Sequence, residues 1–308
     1  MDNKTKKIKM VLVGGGFITQ FYELGFKNSN NVELIGLADL NENCLARNIY
    51  KDIPFYTDFK KMIAELKPDV ALVCTGANTH YEVIKECLIS GVDVTVEKPL
   101  CPTQKEIDEL YDIAHKNGRH LEVIYHFAFG DEAIWLKNNI FKYGKEIKRY
   151  SFSAHEQYAW NKDHVVIPEK RSLGHAWNDV SVNLLSDIDM VVDLNNVRLT
   201  REILDVDKES GLIRYAHKTF ENDKGIEVDI LADWMTMDKT KISVIDLDTG
   251  RIIIDHHEQI IYFNGECIYK NVPKMHRMFY QYENYLKDFK FDPDNENKTR
   301  RLHKVIFL

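Results

Sequence analysis

Residues 8–18 read IKMVLVGGGFI, and this stretch decides the fold of the first half of the chain. The apolar run before the glycines predicts a buried strand, and residues 18–28 have a helical pattern. A strand, a glycine turn and a helix in immediate succession form the context of a dinucleotide-binding fingerprint. Gly14 would allow the tight turn, and Gly16 would let a pyrophosphate approach the backbone. Thr19 stands where the fingerprint has its third glycine, so the match is incomplete.

Asp39 follows a second predicted strand at residues 32–38. A carboxylate about 20 residues beyond the glycines is where the ribose hydroxyls of a dinucleotide bind. Its negative charge would repel the additional phosphate of NADP, so the sequence predicts NAD in preference to NADP. The alternative role for Asp39 is a cap for a helix at residues 41–50.

Strands alternate with helices over the first 125 residues. We predict further strands at 70–74, 92–96 and 121–125, with helices at 81–90 and 103–117. This alternation predicts a doubly wound parallel Rossmann sheet, which would form an NAD-binding domain of residues 1–125.

Lys98 lies in the sequence VEKPL, residues 96–100, directly after a predicted strand. Ligands bind outside the carboxyl ends of the strands in an open α/β sheet. Pro99 fixes its own backbone and restrains the residue before it, so Lys98 would be held as a cation facing a ligand. The alternative is a solvated loop charge before a turn proline.

Beyond residue 125 the pattern changes to successive strands separated by short turns. Such a succession predicts a largely antiparallel open sheet, here in an α+β domain of residues 126–308 that would bind substrate and mediate oligomerisation. After a helix at 131–141, the predicted strands lie at 146–154, 199–206, 212–220, 226–234, 240–246, 251–255 and 259–263.

Composition excludes several classes of protein. A hydrophobic content of 44% and a charged content of 29% are typical of soluble globular chains. The net charge of −7 argues against a nucleic-acid partner. No run approaches the ~20 apolar residues of a membrane helix, and no signal peptide follows the lysine-rich start. The five cysteines form no CxxC pair, which favours reduced thiols in a cytoplasmic protein and argues against a metal site.

The order of GGGFI, Asp39, CTGANTH at 74–80 and VEKPL resembles the Gfo/Idh/MocA family of nicotinamide-dependent oxidoreductases. The resemblance implies that Lys98 sits at the nicotinamide and the substrate, and that the Lys98–Pro99 peptide bond is cis. The cofactor-binding residues that we expect are Gly14, Gly16, Phe17, Ile18, Asp39, Thr75, His80, Glu97 and Lys98.

Asp179 and Asn183 are four residues apart in a predicted helix and share one face. In most of the family a histidine that transfers a proton stands at the position of Asn183, whereas an amide cannot carry a proton at neutral pH. One branch of the family has asparagine there, namely the dehydrogenases that oxidise D-galactose or L-arabinose at C1. Residues 178–187 of this chain resemble the motif of that branch. The resemblance implies an NAD-dependent aldose 1-dehydrogenase that forms the lactone, with Lys98 and Asp179 as the catalytic residues.

The same resemblance implies the substrate contacts. Ala232-Asp233-Trp234 resembles a motif whose tryptophan packs on the sugar, and residues 280–286 match the carboxyl end of that branch. The substrate-binding residues that we expect are Asn183, His126, Trp234, Glu156 and Trp160. Structural alternatives stay open: core packing for His126 and Trp234, a helix amino-terminal Asp179, and a buried, satisfied Asn183. Departures from the branch are Val180-Ser181 in place of Pro-Gly and Trp160-Asn161 in place of Trp-His.

Two other functions stay open besides an aldose dehydrogenase. One is a dehydrogenase of another cyclic polyol such as an inositol, and the other is a non-catalytic regulator that binds sugar and NAD on the same fold. Because a pure sensor needs neither Lys98 nor Asp179 for chemistry, their joint presence favours an enzyme. These two residues come from different domains and are expected to meet at one sugar hydroxyl. The partners that we expect are a small sugar and further copies of the chain, in a dimer or tetramer, with neither nucleic acid nor membrane.

Overall fold

A computed structural model describes residues 6–46, 51–156, 175–272 and 274–308. The first part of the chain alternates strands and helices. In chain order its elements are β1 (Ile8–Val13), α1 (Glu23–Asn28), β2 (Val32–Ala38), β3 (Phe55–Tyr56), α2 (Phe59–Leu66), β4 (Val70–Val73), α3 (Ala77–Ile89), β5 (Asp93–Glu97), α4 (Gln104–Lys116) and β6 (Leu121–Ile124), with 3₁₀ helices at Phe17–Tyr22 and Glu42–Ala46.

The second part is dominated by strands. Its elements are α5 (Asp131–Asn139), β7 (Ile147–His155), α6 (Ala176–Ile188), β8 (Val197–Val206), β9 (Ile213–Asn222), β10 (Glu227–Asp233), β11 (Thr240–Leu247), β12 (Arg251–Asp255), β13 (Ile260–Phe263), β14 (Glu266–Lys270), α7 (Arg277–Lys287) and α8 (Asn295–Ile306), with 3₁₀ helices at His126–Phe129 and Ile140–Lys142.

The chain forms two compact units, and the first is built from two separate segments. It comprises Met1–His126 together with Met278–Arg300, while the second comprises Phe127–Arg277 and Arg301–Leu308. The predicted domains, residues 1–125 and 126–308, did not assign the segment Met278–Arg300 to the first domain. That division into domains stays a prediction.

The first unit contains a six-stranded parallel sheet in the order β3-β2-β1-β4-β5-β6. The strands are continuous apolar runs because a parallel sheet is buried on both faces; residues 10–12 and 71–73 have no exposed surface. The chain winds outward in one direction after β1 and in the other after β4. The ends of β1 and β4 therefore flank the crevice where doubly wound sheets bind ligands.

α7 packs closely against α1 within this first unit. A Cβ atom on Gly25 would lie 2.8 Å from the carbonyl oxygen of Tyr282, so only glycine permits this approach of the two backbones. Ser29 and Asn31, which follow α1, donate hydrogen bonds of 2.7 Å to the carbonyl oxygens of Leu286 and Phe289. The return segment is thus tied to the start of the chain by hydrogen bonds from side chains to its backbone carbonyls.

The second unit contains an eight-stranded sheet in the order β14-β13-β12-β11-β7-β10-β9-β8. On β7, Tyr150, Phe152 and Ala154 are fully buried, whereas the residues between them are half-buried. α6 packs on the buried face, against β7, β9 and β10. This period-2 pattern is the signal by which the sequence predicted strands here.

The opposite face of this sheet carries a polar network centred on Asp229. Thr219 and His217 each lie 2.8 Å from its carboxylate, and Arg149 lies 3.2 Å from it. Burial alone would raise the pKa of Asp229, but the hydrogen bonds from Thr219 and His217 hold it below the usual range. The homo-oligomer that we expected to form through this sheet stays a prediction.

The predicted fold class is confirmed: a parallel Rossmann sheet is followed by a mostly antiparallel sheet. One pairing departs from the simple succession of hairpins, because β10 pairs with β7 in parallel. β3, α2 and β14 were not predicted from the sequence. Among the described helices, none combines the length and the apolar composition that crossing a membrane would require.

Candidate functional site

In the glycine turn after β1, Gly14 and Gly16 differ in backbone conformation and in the space around them. Gly14 has a φ of 94°, and a Cβ atom on it would lie 2.8 Å from backbone atoms of Cys74 and Thr75 at the end of β4. Gly16 has an ordinary φ of −64°, and a Cβ atom on it would meet nothing within 4 Å. Gly14 therefore serves the packing of β1 against β4, whereas the backbone at Gly16 faces open space.

The segment after the turn differs from the expected α-helix over 18–28. Phe17–Tyr22 is a 3₁₀ helix that leads into the six-residue α1. Thr19, which replaces the third glycine, is fully buried, and its hydroxyl donates a 2.7 Å hydrogen bond to the carbonyl oxygen of Gly16. Phe17 is 66% exposed beside the turn. The threonine thus stabilises the turn instead of interrupting it.

Asp39 lies at the end of β2, next to the glycine turn. One carboxylate oxygen accepts a 2.5 Å hydrogen bond from the Gly15 amide, and the other accepts a 2.7 Å bond from the Asn41 amide. The second contact is the local capping role that the sequence left open, while the first fixes the carboxylate at the crevice. Both roles are compatible, because each uses a different oxygen.

These residues fit a dinucleotide. The open space at Gly16 can admit a pyrophosphate against the backbone, and Asp39 at the end of β2 stands where ribose hydroxyls are bound. Gly16, Phe17 and Ile18 would accordingly hold the phosphates, and Asp39 the ribose. Of the residues that the structure describes, no cluster of three or more His, Cys, Asp or Glu side chains could hold a metal ion.

The two glycines give a matched pair of variants. We expect Gly16→Ala to leave stability unchanged, because its φ and surroundings accept a methyl group, and to weaken NAD binding about 10- to 100-fold. Gly14→Ala should instead destabilise the fold by about 2 kcal/mol or more, since both its φ and its neighbours exclude a side chain. Calorimetric titration with NAD and thermal unfolding measure the two effects. A Gly16→Ala variant that binds NAD normally would show that the phosphates do not approach there.

His80 links two turns at the crevice. It is 1% exposed; its Nε2 lies 3.0 Å from the carbonyl oxygen of Thr75, and its Nδ1 lies 3.0 Å from that of Pro99. Burial holds the pKa of His80 below its ordinary value, although these carbonyl contacts oppose the shift. The peptide bond between Lys98 and Pro99 is cis, as the resemblance implied. His80 thus ties the turn after β4 to the turn that carries Lys98, and its role toward the cofactor stays a prediction.

Lys98 follows β5 at the carboxyl edge of the sheet and is half-buried. Glu97, the last residue of β5, is buried and accepts a 2.6 Å hydrogen bond from the Tyr22 hydroxyl. The Tyr282 ring, from α7, lies 4.1 Å from the Tyr22 ring. These tyrosines were not predicted as site residues, because nothing in a single sequence connects a residue of α7 with the end of β5.

His126 is buried next to this group. Its Nδ1 lies 2.9 Å from the side-chain oxygen of Gln281, and its ring lies 5.4 Å from that of Tyr282. His126 therefore belongs to the packing of α7 against the first sheet. These contacts support the alternative that His126 is a packing residue of the core, and its contact with a substrate stays a prediction.

In the second unit, Asp179 and Asn183 lie on α6, as the spacing predicted. Asp179 is in the first turn of the helix and half-buried, whereas Asn183 is 6% exposed. The side-chain oxygen of Asn183 has no hydrogen-bond partner among the described residues. A buried amide oxygen without a partner is costly, which makes this position suited to a ligand with hydroxyl donors.

The remaining residues that were predicted to contact the substrate differ in burial and in their partners. Trp234 is fully buried, which favours the packing alternative; its stacking on a sugar stays a prediction. Glu156 is half-buried and forms an ion pair of 2.5 Å with Lys241. Trp160 lies outside the described residues. His256 lies in a turn and is 1% exposed, between Ser243 and Glu132.

Residues 8–125 match the family model described as "Oxidoreductase family, NAD-binding Rossmann fold", GFO_IDH_MocA. Among curated proteins, the chain is similar to D-glucoside 3-dehydrogenase of Escherichia coli K12, with 26% identity over 136 residues, 43% of this chain and 39% of that protein. It is also similar to Glycosyl hydrolase family 109 protein 1 of Akkermansia muciniphila, with 25% identity over 148 residues, 44% of this chain and 31% of that protein. The match thus spans less than half the length of either relative.

Solved structures resemble the chain over nearly its whole length. A variant of KijD10, a 3-ketoreductase from Actinomadura kijaniata in complex with NADP, has a TM-score of 0.80 and 13% identity, covering 98% of this chain and 96% of that chain. GenD2 from gentamicin A biosynthesis, in complex with NAD, has a TM-score of 0.79 and 14% identity, covering 99% of this chain and 94% of that chain. At these identities the likeness concerns the fold, and the bound cofactors leave the choice between NAD and NADP open.

Proposed function

We propose that the protein is an oxidoreductase of the Gfo/Idh/MocA family, whose NAD-binding Rossmann model matches residues 8–125. Within that family we propose an NAD-dependent dehydrogenase that oxidises an aldose sugar at C1 to the lactone. The observation that carries the choice of substrate is the pair on α6: a half-buried carboxylate, Asp179, one turn from the buried amide of Asn183. The similarity to a glucoside dehydrogenase supports a sugar as the substrate class.

The chemistry of C1 explains why an amide suffices at position 183. The ring oxygen makes an anomeric hydroxyl more acidic than an ordinary alcohol, so its proton needs only a carboxylate base. In our proposal Asp179 accepts that proton while the ammonium of Lys98 stabilises the oxygen as its negative charge develops. When bound, the nicotinamide accepts the hydride from C1. The O–H and C1–H bonds break, and the C1=O bond of the lactone forms.

Asn183 orients the sugar in this scheme. Its side-chain oxygen, which has no hydrogen-bond partner among the described residues, can accept a hydrogen bond from a sugar hydroxyl. Its amide hydrogens can donate to a second oxygen of the same sugar. An amide that contacts two neighbouring oxygens discriminates between epimers without transferring a proton.

A substrate panel tests the proposal directly. The enzyme with NAD is offered D-galactose, L-arabinose, D-glucose and myo-inositol, and formation of the reduced cofactor is followed by absorbance. We expect turnover with an aldose and formation of its lactone. Turnover with the inositol alone would favour the polyol dehydrogenase. Binding of sugar and NAD by calorimetry without turnover of any compound would favour the non-catalytic regulator.

Cofactor choice provides a second test. The Asp39 carboxylate lies at the end of β2, and its neighbours in the sequence, Ala38 and Leu40, are not arginines, so we expect a kcat/KM for NAD at least about tenfold above that for NADP. Asp39→Ala should reduce this preference. Asp39→Asn keeps the acceptor for the Gly15 amide but removes the charge, and therefore separates repulsion of the extra phosphate from local capping. A wild-type enzyme that prefers NADP would contradict the ribose-binding role of Asp39.

A further inference from the structure

We propose that β8 pairs with β8 of a second copy of the chain, in antiparallel orientation about a two-fold axis that passes through Ile203. The eight-stranded sheet of one copy then continues into the sheet of the other. The contact uses the edge of the sheet and not the face that carries the Asp229 network. It lies in the second unit and does not depend on the reaction proposed above.

β8 is the last strand on one side of its sheet, and among the strands that the structure describes it pairs with β9 alone. Its outer side therefore presents N–H and C=O groups that β9 does not use. The strand is ten residues long and contains neither the lysine nor the proline that commonly protect exposed edges. Ile203, Leu204 and Val206 are 40%, 38% and 43% exposed. A long and partly apolar edge of this kind favours pairing with a further strand.

The regular part of β8 is symmetric about Ile203. Its register with β9 is continuous from Arg201 to Asp205 and is irregular on either side, after Leu199 and before Val206. Such irregularities bend a strand and disrupt its ladder locally, so the residues between them form the segment that can accept a new strand. When two copies of this segment pair about a two-fold axis perpendicular to the sheet, the residue at its centre meets its own copy.

A pairing centred on Ile203 brings opposite charges together. Arg201 of each copy lies opposite Asp205 of the other, so an ion pair flanks the contact between the two Ile203 side chains on each side. Because these three residues alternate along the strand, their side chains share one face of the sheet. Charges on an edge normally keep other strands away, but this arrangement of charges is complementary to a copy of itself.

The charged residues of β8 can keep the partners that they have within the chain. Asp205 accepts hydrogen bonds of 2.6 and 3.1 Å from Arg214, but its side chain is 46% exposed, and a carboxylate can accept from a second arginine. On the other face of the strand, Glu202 lies opposite Leu204 of the second copy. The Glu202 carboxylate is paired with Lys218 of its own chain at 2.8 Å, so this position needs no charge from the second copy.

The two neighbouring registers are less favourable. An axis through Glu202 would place two Glu202 carboxylates opposite each other, and like charges directly opposite destabilise a strand pair. An axis through Leu204 would place Asp205 opposite Ile203, and Arg201 opposite a residue beyond the irregularity that ends the regular segment. The register centred on Ile203 is therefore the one that matches both charges within that segment.

Sedimentation velocity of the full chain over the micromolar range tests the contact. A short strand pairing buries less area than a standard interface, so we expect the wild type to dimerise with a micromolar Kd. Ile203→Lys places two ammonium groups on the axis and should raise this Kd at least about tenfold. A wild type that stays monomeric at these concentrations would overturn the proposal.

The matched control introduces a charge on the open face of the same sheet. Ser153 is half-buried on β7, between the fully buried Phe152 and Ala154 of the other face. Ser153→Arg would disturb a contact between two such faces but not a contact at the edge, so its Kd should equal that of the wild type. Loss of association in Ser153→Arg, with normal association in Ile203→Lys, would assign the contact to the face and refute edge pairing.

The ion pairs are tested by exchanging charges between two variants. Arg201→Asp and Asp205→Arg each place like charges opposite each other, so each variant alone should associate at least about tenfold more weakly than the wild type. Mixed in equal amounts, the two variants should form a heterodimer with about the wild-type Kd, because each introduced charge then faces its opposite. Circular dichroism verifies that both variants are folded. Folded variants that do not associate when mixed would contradict the proposed register.

Disulfide cross-linking tests the register without changing a charge at Asp205, whose loss could affect folding. The exposed Cys267 is first removed by Cys267→Ser. In that background, Ile203→Cys should give a covalent dimer on oxidation, because residues directly opposite in an antiparallel pair lie within disulfide range. Val206→Cys, at an equally exposed position of the same strand, should stay uncrosslinked because it does not meet its own copy. Equal cross-linking of the two variants, or none in either, would overturn the pairing about Ile203.

Discussion

Lys98→Ala is expected to lower kcat for sugar oxidation by a factor of about 10² to 10³, the loss typical of removing one group that stabilises a developing oxyanion. Lys98 follows β5 at the edge of the sheet where ligands bind, and it is half-buried, so its charge is less screened by solvent than that of an exposed lysine. Steady-state kinetics with NAD and saturating sugar measure the effect.

The control for Lys98→Ala is a lysine outside the site. Lys105 on α4 forms an exposed i,i+4 ion pair with Glu109, and Lys105→Ala should leave kcat unchanged. Near-normal kcat in Lys98→Ala, with normal folding and NAD binding, would exclude the proposed mechanism.

Asp179 and Asn183 separate proton transfer from orientation. Asp179→Ala should lower kcat about as severely as Lys98→Ala, and the double variant should be little worse than either, because residues that act as a unit are not additive. Asn183→Ala should act partly through KM. Asn183→His places an imidazole where most of the family has one; unchanged aldose oxidation in that variant would contradict the orienting role. Additive losses for Lys98 and Asp179 would refute the prediction that they act on one hydroxyl.

Glu122→Gln is expected to remove a large pH dependence of stability. Glu122 is 3% exposed on β6 and accepts hydrogen bonds from the Tyr285 hydroxyl and, at 2.7 Å, the Asp292 amide. Burial raises its pKa to about 7, despite these two donors. The folded state therefore binds this proton more tightly than the unfolded state, whose glutamate titrates at ~4.3. Stability from this group is present at low pH and is lost as the pH rises through about 7.

The size of the effect follows from the same shift. Between pH 5 and pH 8, the wild type should lose about 2 to 3 kcal/mol of unfolding free energy relative to Glu122→Gln, which cannot ionise. The glutamine keeps one acceptor oxygen for the Asp292 amide, and its NH₂ group can donate to the Tyr285 hydroxyl. Urea unfolding at the two pH values measures this difference. Glu82→Gln, at an exposed position of α3, serves as the control and should follow the wild type. Parallel behaviour of wild type and Glu122→Gln would mean that Glu122 titrates normally.

The parts of the fold that the sequence predicted are those with a local signal. Buried parallel strands read as apolar runs, so β1, β2 and β4 were found within a residue of their ends, and the glycine turn and Asp39 followed from them. Short elements were not predicted, because β3, for example, has only two residues, too few to show a hydrophobic periodicity. The parallel pairing of β10 with β7 also escaped, because strands that follow one another across short turns suggest antiparallel neighbours.

The site was predictable only where a motif lies in one stretch of sequence. Lys98 stands out by its position after a strand, and Asp179 and Asn183 by helical spacing. Tyr22 and Tyr282 do not stand out, because aromatic residues in helices are ordinary core components until the structure brings them to Glu97. Trp234 was predicted as a sugar contact but is completely buried, and its position next to the end of a strand gave no indication of that burial.

The assignment of Met278–Arg300 to the first unit has a consequence for how the protein is made. On the ribosome the chain emerges from its amino terminus, and domains generally fold as units during synthesis. The strands of the first sheet are complete by Ile124, but α7, with the Tyr282 and Tyr285 side chains that contact Glu97 and Glu122, is translated only after β14 of the second unit. The nascent first unit must therefore wait until the strands of the second unit have been synthesised, with Glu122 lacking the Tyr285 hydroxyl and Glu97 held by Tyr22 but lacking the Tyr282 side chain. A transplanted cofactor domain would likewise have to include both segments of the chain.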